Sequence, residues 1–194
     1  MMQKRKDYLS WPELFMFNAM ISAQRSKDPK TQVGACIIDL KTNKIVSTGY
    51  NGLPRGCNDD DFPWDRKSPS GDLYDTKYPY VVHAERNAIY NAERKNLNGC
   101  ELYVTLFPCN ECAKSIIQVG IKKVYYASIK GEDTLEVRAS KRMLAASNIE
   151  TIFFKPERKL SIDGLSLGEL PPNFLKIFGN DLDKEDKYSD TFSL

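Results

Sequence analysis

The chain has 194 residues, 41% of them hydrophobic and 11% aromatic, with a formal net charge of +2. That length suits one domain whose core holds without disulfide staples. The near-neutral balance lacks the basic excess with which proteins hold a nucleic-acid backbone, so nucleic acid is not an expected partner, while a small anionic ligand stays open. 

Chain order begins with a basic cluster, Lys4, Arg5 and Lys6, ahead of the apolar run Leu14-Phe15-Met16-Phe17. This loosely resembles a signal peptide, but Ser10-Trp11-Pro12-Glu13 reads as a helix start, with Ser10 as N-cap and Glu13 closing a capping box. Asn18 interrupts the run and no clear cleavage site follows. The spacing predicts a helix over about 10–25 that is apolar round most of its circumference. Such a helix needs cover on both sides, part of it from another subunit. No stretch reaches the roughly 18 apolar residues of a membrane span, so no membrane partner is expected.

Strands are predicted at 33–39 and 44–51, joined by the short turn Leu40-Lys41-Thr42-Asn43 as an antiparallel hairpin. A long irregular stretch from about Gly52 to Tyr80 follows, rich in Pro, Gly and Asp. Loops of that length tend to be functional. Beyond Val82, Ala84, Ala88, Ile89 and Ala92 mark a helix face. Next come a strand at 101–107, a helix at 109–119 ended by Gly120, a strand at 122–129, a helix at 133–147 and a strand at 150–155. Strands alternating with helices imply parallel pairs and a sheet covered on both faces. The expected fold is α/β: a three-layer α/β/α domain on a mixed five-stranded sheet that starts with an antiparallel hairpin. Residues 1–160 form that domain. Residues 161–194 form a C-terminal extension, partly disordered, with one helical turn at 173–178.

The cysteines are Cys36, Cys57, Cys100, Cys109 and Cys112, an odd number at irregular spacing. This points to a reducing compartment, read as cytoplasmic, with thiols free or on metal. His83, the sole histidine, falls at the start of one predicted helix, and Cys109 and Cys112 at the start of the next. Thiols at i and i+3 share a helix face, and a helix N-terminus favours thiolate. Pro108 suits the turn into that helix. One imidazole and two thiolates make a zinc set with the fourth position open to water. Glu85, two places after His83, is placed to move a proton beside the ion. A redox pair would leave His-x-Glu unexplained. A closed structural zinc would need Cys36, Cys57 or Cys100 as fourth ligand.

His-x-Glu followed by Pro-Cys-x-x-Cys is the signature of zinc nucleobase deaminases. Further stretches carry the likeness: Ser22-Ala23-Gln24-Arg25-Ser26-Lys27-Asp28-Pro29, Gln32-Val33-Gly34-Ala35-Cys36, Gly49-Tyr50-Asn51-Gly52, Asp75-Thr76-Lys77-Tyr78-Pro79-Tyr80 and Thr105-Leu106-Phe107-Pro108. Over about residues 11–155 the sequence resembles the deoxycytidylate (dCMP) deaminases of the cytidine deaminase superfamily. The resemblance implies zinc on His83, Cys109 and Cys112, activating water for attack at C4 of cytosine. Glu85 would shuttle the proton to N3 and then help the 4-amino group leave as ammonia, with dUMP as product. By motif position it implies the Ala84 N–H at the pyrimidine O2, Asn51 at the sugar, Val33 on the base, and Thr105 and Pro108 along the same wall. It further implies a hexamer activated by dCTP with magnesium and inhibited by dTTP, with the effector site near Arg25, Lys27, Asn51 and Gly52. The family often has a Tyr-His-Asp-like segment near the substrate phosphate. Here Ile129-Lys130-Gly131-Glu132-Asp133 lacks the aromatic, leaving Lys130 and Arg138 as candidates. Two other readings stay open: a deaminase of this fold acting on another cytosine nucleoside, nucleotide or tRNA base, and a non-catalytic zinc module.

Overall fold

The computed structural model describes residues 2–94 and 96–154. The expected extension at 161–194, the turn at 173–178 and the last residue of the final predicted strand lie outside the described residues. Helix α1 runs Trp11–Ala23, β1 Gly34–Asp39, β2 Lys44–Tyr50, α2 Ala84–Asn91, β3 Cys100–Val104, α3 Asn110–Gln118, β4 Lys123–Tyr126, α4 Leu135–Ala146 and β5 Glu150–Phe153. The sheet order is β2-β1-β3-β4-β5. β1 is antiparallel to both neighbours, while β3, β4 and β5 are parallel. The sheet is therefore mixed and opens with a hairpin, as its sequence pattern implies.

Each face of the sheet has its own core. On one side Phe15, Met16, Ala19 and Met20 of α1 pack on Cys36, Ile38 and Tyr103. On the other, Ala84, Ala88, Ala113, Ile116, Val137 and Leu144 from α2, α3 and α4 pack on Ala35, Ile37, Leu102, Val104 and Val124. Fully burying a side chain such as Ile37 or Leu102 stabilises the fold by roughly 1.5–3 kcal/mol. Both faces of β3 are covered, which is why its five residues are all buried, Glu101 among them.

The capping box of α1 forms as the sequence predicts: the Glu13 N–H donates to Ser10 Oγ, and Glu13 Oε2 accepts from the Ser10 N–H at 2.8 Å. α1 is not covered all round. Trp11, Leu14 and Ile21 stay exposed on one side. Helix α4 begins two residues later than its predicted start because Thr134 caps it, its hydroxyl accepting from the Val137 N–H. Strand β3 stops at Val104, short of the predicted 107, and Phe107 instead bonds to the Ser128 carbonyl at 2.8 Å. The Thr105 N–H still donates to the Gly34 carbonyl at 3.0 Å, and the chain then passes through Pro108 into α3.

Two features seat α2 where the chemistry falls. A Cβ at Gly49 would come within 2.3 Å of the Ala88 nitrogen and 2.4 Å of the Ala84 oxygen, so β2 and α2 touch backbone to backbone. Ser47 Oγ donates to the Ala88 carbonyl at 2.7 Å. The long stretch between β2 and α2 is closed at its base by an antiparallel bridge between Gly52 and Val82. Within it the Phe62, Tyr74 and Tyr80 rings meet edge to face. Among the described residues no helix is long and apolar enough to cross a membrane.

Candidate active site

Two helix starts meet at one end of a cavity of about 200 Å³. His83 is the N-cap of α2 and Cys109 the N-cap of α3, and neither spends its side chain on capping. Both residues have extended backbones, at ψ 156° and 174°. Their side chains are thereby released from the helix and meet across the gap. His83 Nδ1 lies 3.4 Å from Cys109 Sγ and 3.4 Å from Cys112 Sγ. All three donor atoms lie within 4.8 Å of one another.

The electrostatics suit a soft divalent cation. The Cys109 thiol is drawn down to about 4, first by the hydrogen bond from Cys112 and then by His83. His83 is raised to about 9, chiefly by its hydrogen bond to Cys109. Cys112, hydrogen-bonded to that thiolate and buried, stays well above the ordinary thiol range. Two thiols and an imidazole, close enough to converge on one ion, are the soft donor set that zinc takes. Among the described residues the group stops at three donors. Cys36 sits in the α1-side core, where burial pushes it up to about 12. Cys100 is buried at the start of β3, where it contacts Arg94, and Cys57 stands half-buried in the long loop. None of them completes a closed structural site.

Glu85 is 3% exposed, in the first turn of α2. Burial pushes its carboxyl up to about 7, against the pull of the imidazolium at His83. An acid whose affinity for protons is brought near neutrality both gives and takes them readily. Ala84 sits beside it at the first position of α2, where a helix leaves its N–H groups unpaired.

From this end the cavity runs along Val33, Ala84, Leu106 and Phe107 to a polar end built by Asp28, Thr31, Asn51, Arg66, Lys77 and Tyr78. Asp28 and Lys77 form a buried ion pair, and Asn51 Nδ2 donates to Asp28 Oδ2 at 3.4 Å and to the Thr31 carbonyl at 2.9 Å. Asn51 Oδ1 accepts from the Val33 N–H at 2.8 Å, which ties the apolar wall to the polar end. Burial pulls the Lys77 ammonium below its ordinary range, while Asp28 opposes that shift.

Of the residues singled out in the sequence, His83, Ala84, Glu85, Cys109, Val33 and Asn51 line the cavity, and Cys112 stands behind Cys109. Thr105 and Pro108 are buried behind the wall, where Thr105 Oγ1 accepts from the Gly34 N–H at 3.1 Å. Arg25 lies over the Tyr50 ring, Lys27 is paired with Asp59, and Gly52 is held in its bridge to Val82, all outside the cavity. Lys130 and Arg138 are exposed and do not line it. Asp28, Thr31, Arg66, Lys77 and Tyr78 were not identified as site residues from the sequence. The length of the loop that carries three of them was the available sign.

Helix starts carrying His-x-Glu and Cys-x-x-Cys at the edge of a mixed α/β sheet define the zinc-dependent deaminase class. Residues 9–128 match the family model of the cytidine and deoxycytidylate deaminase zinc-binding region. The human deoxycytidylate deaminase is 50% identical over 175 residues, covering 90% of this chain and 97% of the human protein. A probable deoxycytidylate deaminase of Drosophila melanogaster is 52% identical over 174 residues, 88% of this chain and 85% of the fly protein. The crystal structure of dCMP deaminase from the cyanophage S-TIM5 in complex with dCMP and dUMP superposes with a TM-score of 0.58 at 28% identity. It covers 73% of this chain and 95% of the phage chain. The chain belongs to the cytidine and deoxycytidylate deaminase family.

Proposed function

We propose that this protein is a zinc-dependent hydrolase that converts dCMP and water to dUMP and ammonia. The observation that carries the reading is a buried Glu85, its carboxyl pushed up to about 7, beside a donor set that stops at three among the described residues. His83, Cys109 and Cys112 hold the ion, which when bound makes a water molecule acidic enough to react at pH 7. Glu85 takes one proton of the attacking water to ring N3, then takes the proton of the new C4 hydroxyl and gives it to the 4-amino group, which leaves as ammonia as the C4 carbonyl forms. The Ala84 N–H meets the pyrimidine O2, Val33 packs on the base and Asn51 faces the sugar, with Thr105 and Pro108 supporting that wall from behind. Support comes from the human relative, a deoxycytidylate deaminase matched over nearly its whole length, and from the phage structure that holds dCMP and dUMP.

The catalytic domain spans residues 1–160. The protein works in the cytoplasm as a hexamer, with the exposed Trp11, Leu14 and Ile21 of α1 offering an apolar face for a neighbouring subunit. dCTP, with Mg2+, activates and dTTP inhibits, through a site near Arg25, Lys27, Asn51 and Gly52. Ser26 supports that coupling: its hydroxyl donates to the Asn51 carbonyl at 2.9 Å, linking the segment to the cavity wall.

The test is a turnover assay on zinc-loaded protein with dCMP, following dUMP and ammonia with and without dCTP, Mg2+ and dTTP. Equal amounts of the two products are expected. No dUMP would overturn the reading, whereas dUMP formed at a rate indifferent to both triphosphates would remove only the regulatory part.

A further inference from the structure

The polar end of the cavity carries more cationic than anionic side chains, and one cation there has no acid beside it. Asp28 is the sole carboxylate among the residues lining that end, and it is committed to Lys77. Arg66 makes no ion pair among the described residues. Its Nη2 donates to Thr31 Oγ1 at 2.5 Å, which fixes the guanidinium over the cavity rather than in solvent. Thr31 is itself anchored, since its carbonyl accepts from Asn51 and its N–H donates to Asp28 Oδ1. The guanidinium is therefore held by neutral oxygen on one side, and among the described residues no other hydrogen bond takes up its remaining donors. Lys30 lies close enough to Lys77 to add to the same positive field.

A planar fork of donors with fixed charge matches two phosphate oxygens at once, which an ammonium cannot do. A nucleotide with its ring at the Glu85 end and its sugar along Asn51 points its 5′-oxygen toward this end of the cavity. We propose that Arg66 binds the 5′-phosphate of the substrate monophosphate, and that the Asp28–Lys77 pair holds the wall against which it is aimed. The inference rests on the dCMP reading and assigns to the long loop the choice between nucleotide and nucleoside. Lys130 and Arg138, outside the cavity, have no part in that choice.

The experiment compares kcat/KM for dCMP and for deoxycytidine in the wild type, Arg66→Ala, Arg66→Gln and Lys130→Ala. In both Arg66 variants the ratio favouring dCMP should collapse by about 100-fold, and the inhibition constant of dUMP should rise by a similar factor. Gln keeps a donor for Thr31 without the charge, so it separates phosphate recognition from loop folding. Lys130→Ala should keep the wild-type ratio. An Arg66 variant that keeps the preference for dCMP, or that loses both substrates equally while dUMP inhibition is unchanged, overturns the inference. A wild type that turns over deoxycytidine as well as dCMP overturns instead the dCMP reading on which it rests.

Discussion

The two ends of the cavity are built by opposite means. At the metal end, three donors and a carboxyl stand on the first turns of α2 and α3, on elements packed against the central strands. At the polar end, Asp28, Thr31, Arg66, Lys77 and Tyr78 come from irregular segments and are held by hydrogen bonds and one buried ion pair. Rigid elements fix the geometry that bond-breaking needs, while loops are free to vary and so carry selectivity. Substitutions at the two ends should accordingly fail in different ways.

The largest effect is expected at the metal end. Glu85→Gln keeps the shape of α2 and removes the proton carrier, so turnover of dCMP should fall by about 10³-fold or more. Zinc content, measured by elemental analysis, should stay at the wild-type level. Retained turnover would break the division between holding the ion and moving the proton.

At the polar end the damage should first be to stability. Lys77→Met leaves the Asp28 carboxylate buried without its partner, which costs about 3–5 kcal/mol in denaturant unfolding. The double variant Asp28→Asn, Lys77→Met should recover much of that loss. If it does not, the pair is not the buried unit described above.

A smaller effect should follow at the joint between the sheet and α2. Gly49→Ala places a methyl group against the backbone at Ala84 and Ala88, so the helix must shift. The expected loss is about 1–3 kcal/mol of stability. Activity should fall further than a substitution remote from the zinc ligands would explain, because His83 and Glu85 ride on that helix. A thermal melt and a dCMP assay on the same preparation would compare the two.

The metal end was legible in the sequence because its residues are local signals: His83 with Glu85, and Cys109 with Cys112, each within one helical turn. The sheet was legible for a similar reason, since apolar runs and helix periods alternate from 34 to 153. The boundaries that shifted did so where a side chain decided the matter. Thr134 delays α4, and the early exit of β3 leaves Thr105 behind the wall rather than on it. The polar end was legible only at Asn51; Asp28, Lys77 and Tyr78 fall in stretches that carry the family likeness but were given no role. Asp28 and Lys77 meet across a loop with no periodicity, and nothing in the neighbourhood of Arg66 in the sequence announces that it reaches Thr31. The length of that loop and its Asp75–Tyr80 stretch signalled that it was more than a connection.

The placement of the five sulfurs has a practical consequence. Cys36, Cys100 and Cys112 are buried, and Cys109 and Cys112 stand with His83 in the donor group proposed to hold zinc. Cys57, half-exposed on the segment that also carries Arg66, is left as a natural attachment point for a dye or spin label. A probe fixed there would test whether the loop responds to added dCMP, with no engineered residue needed.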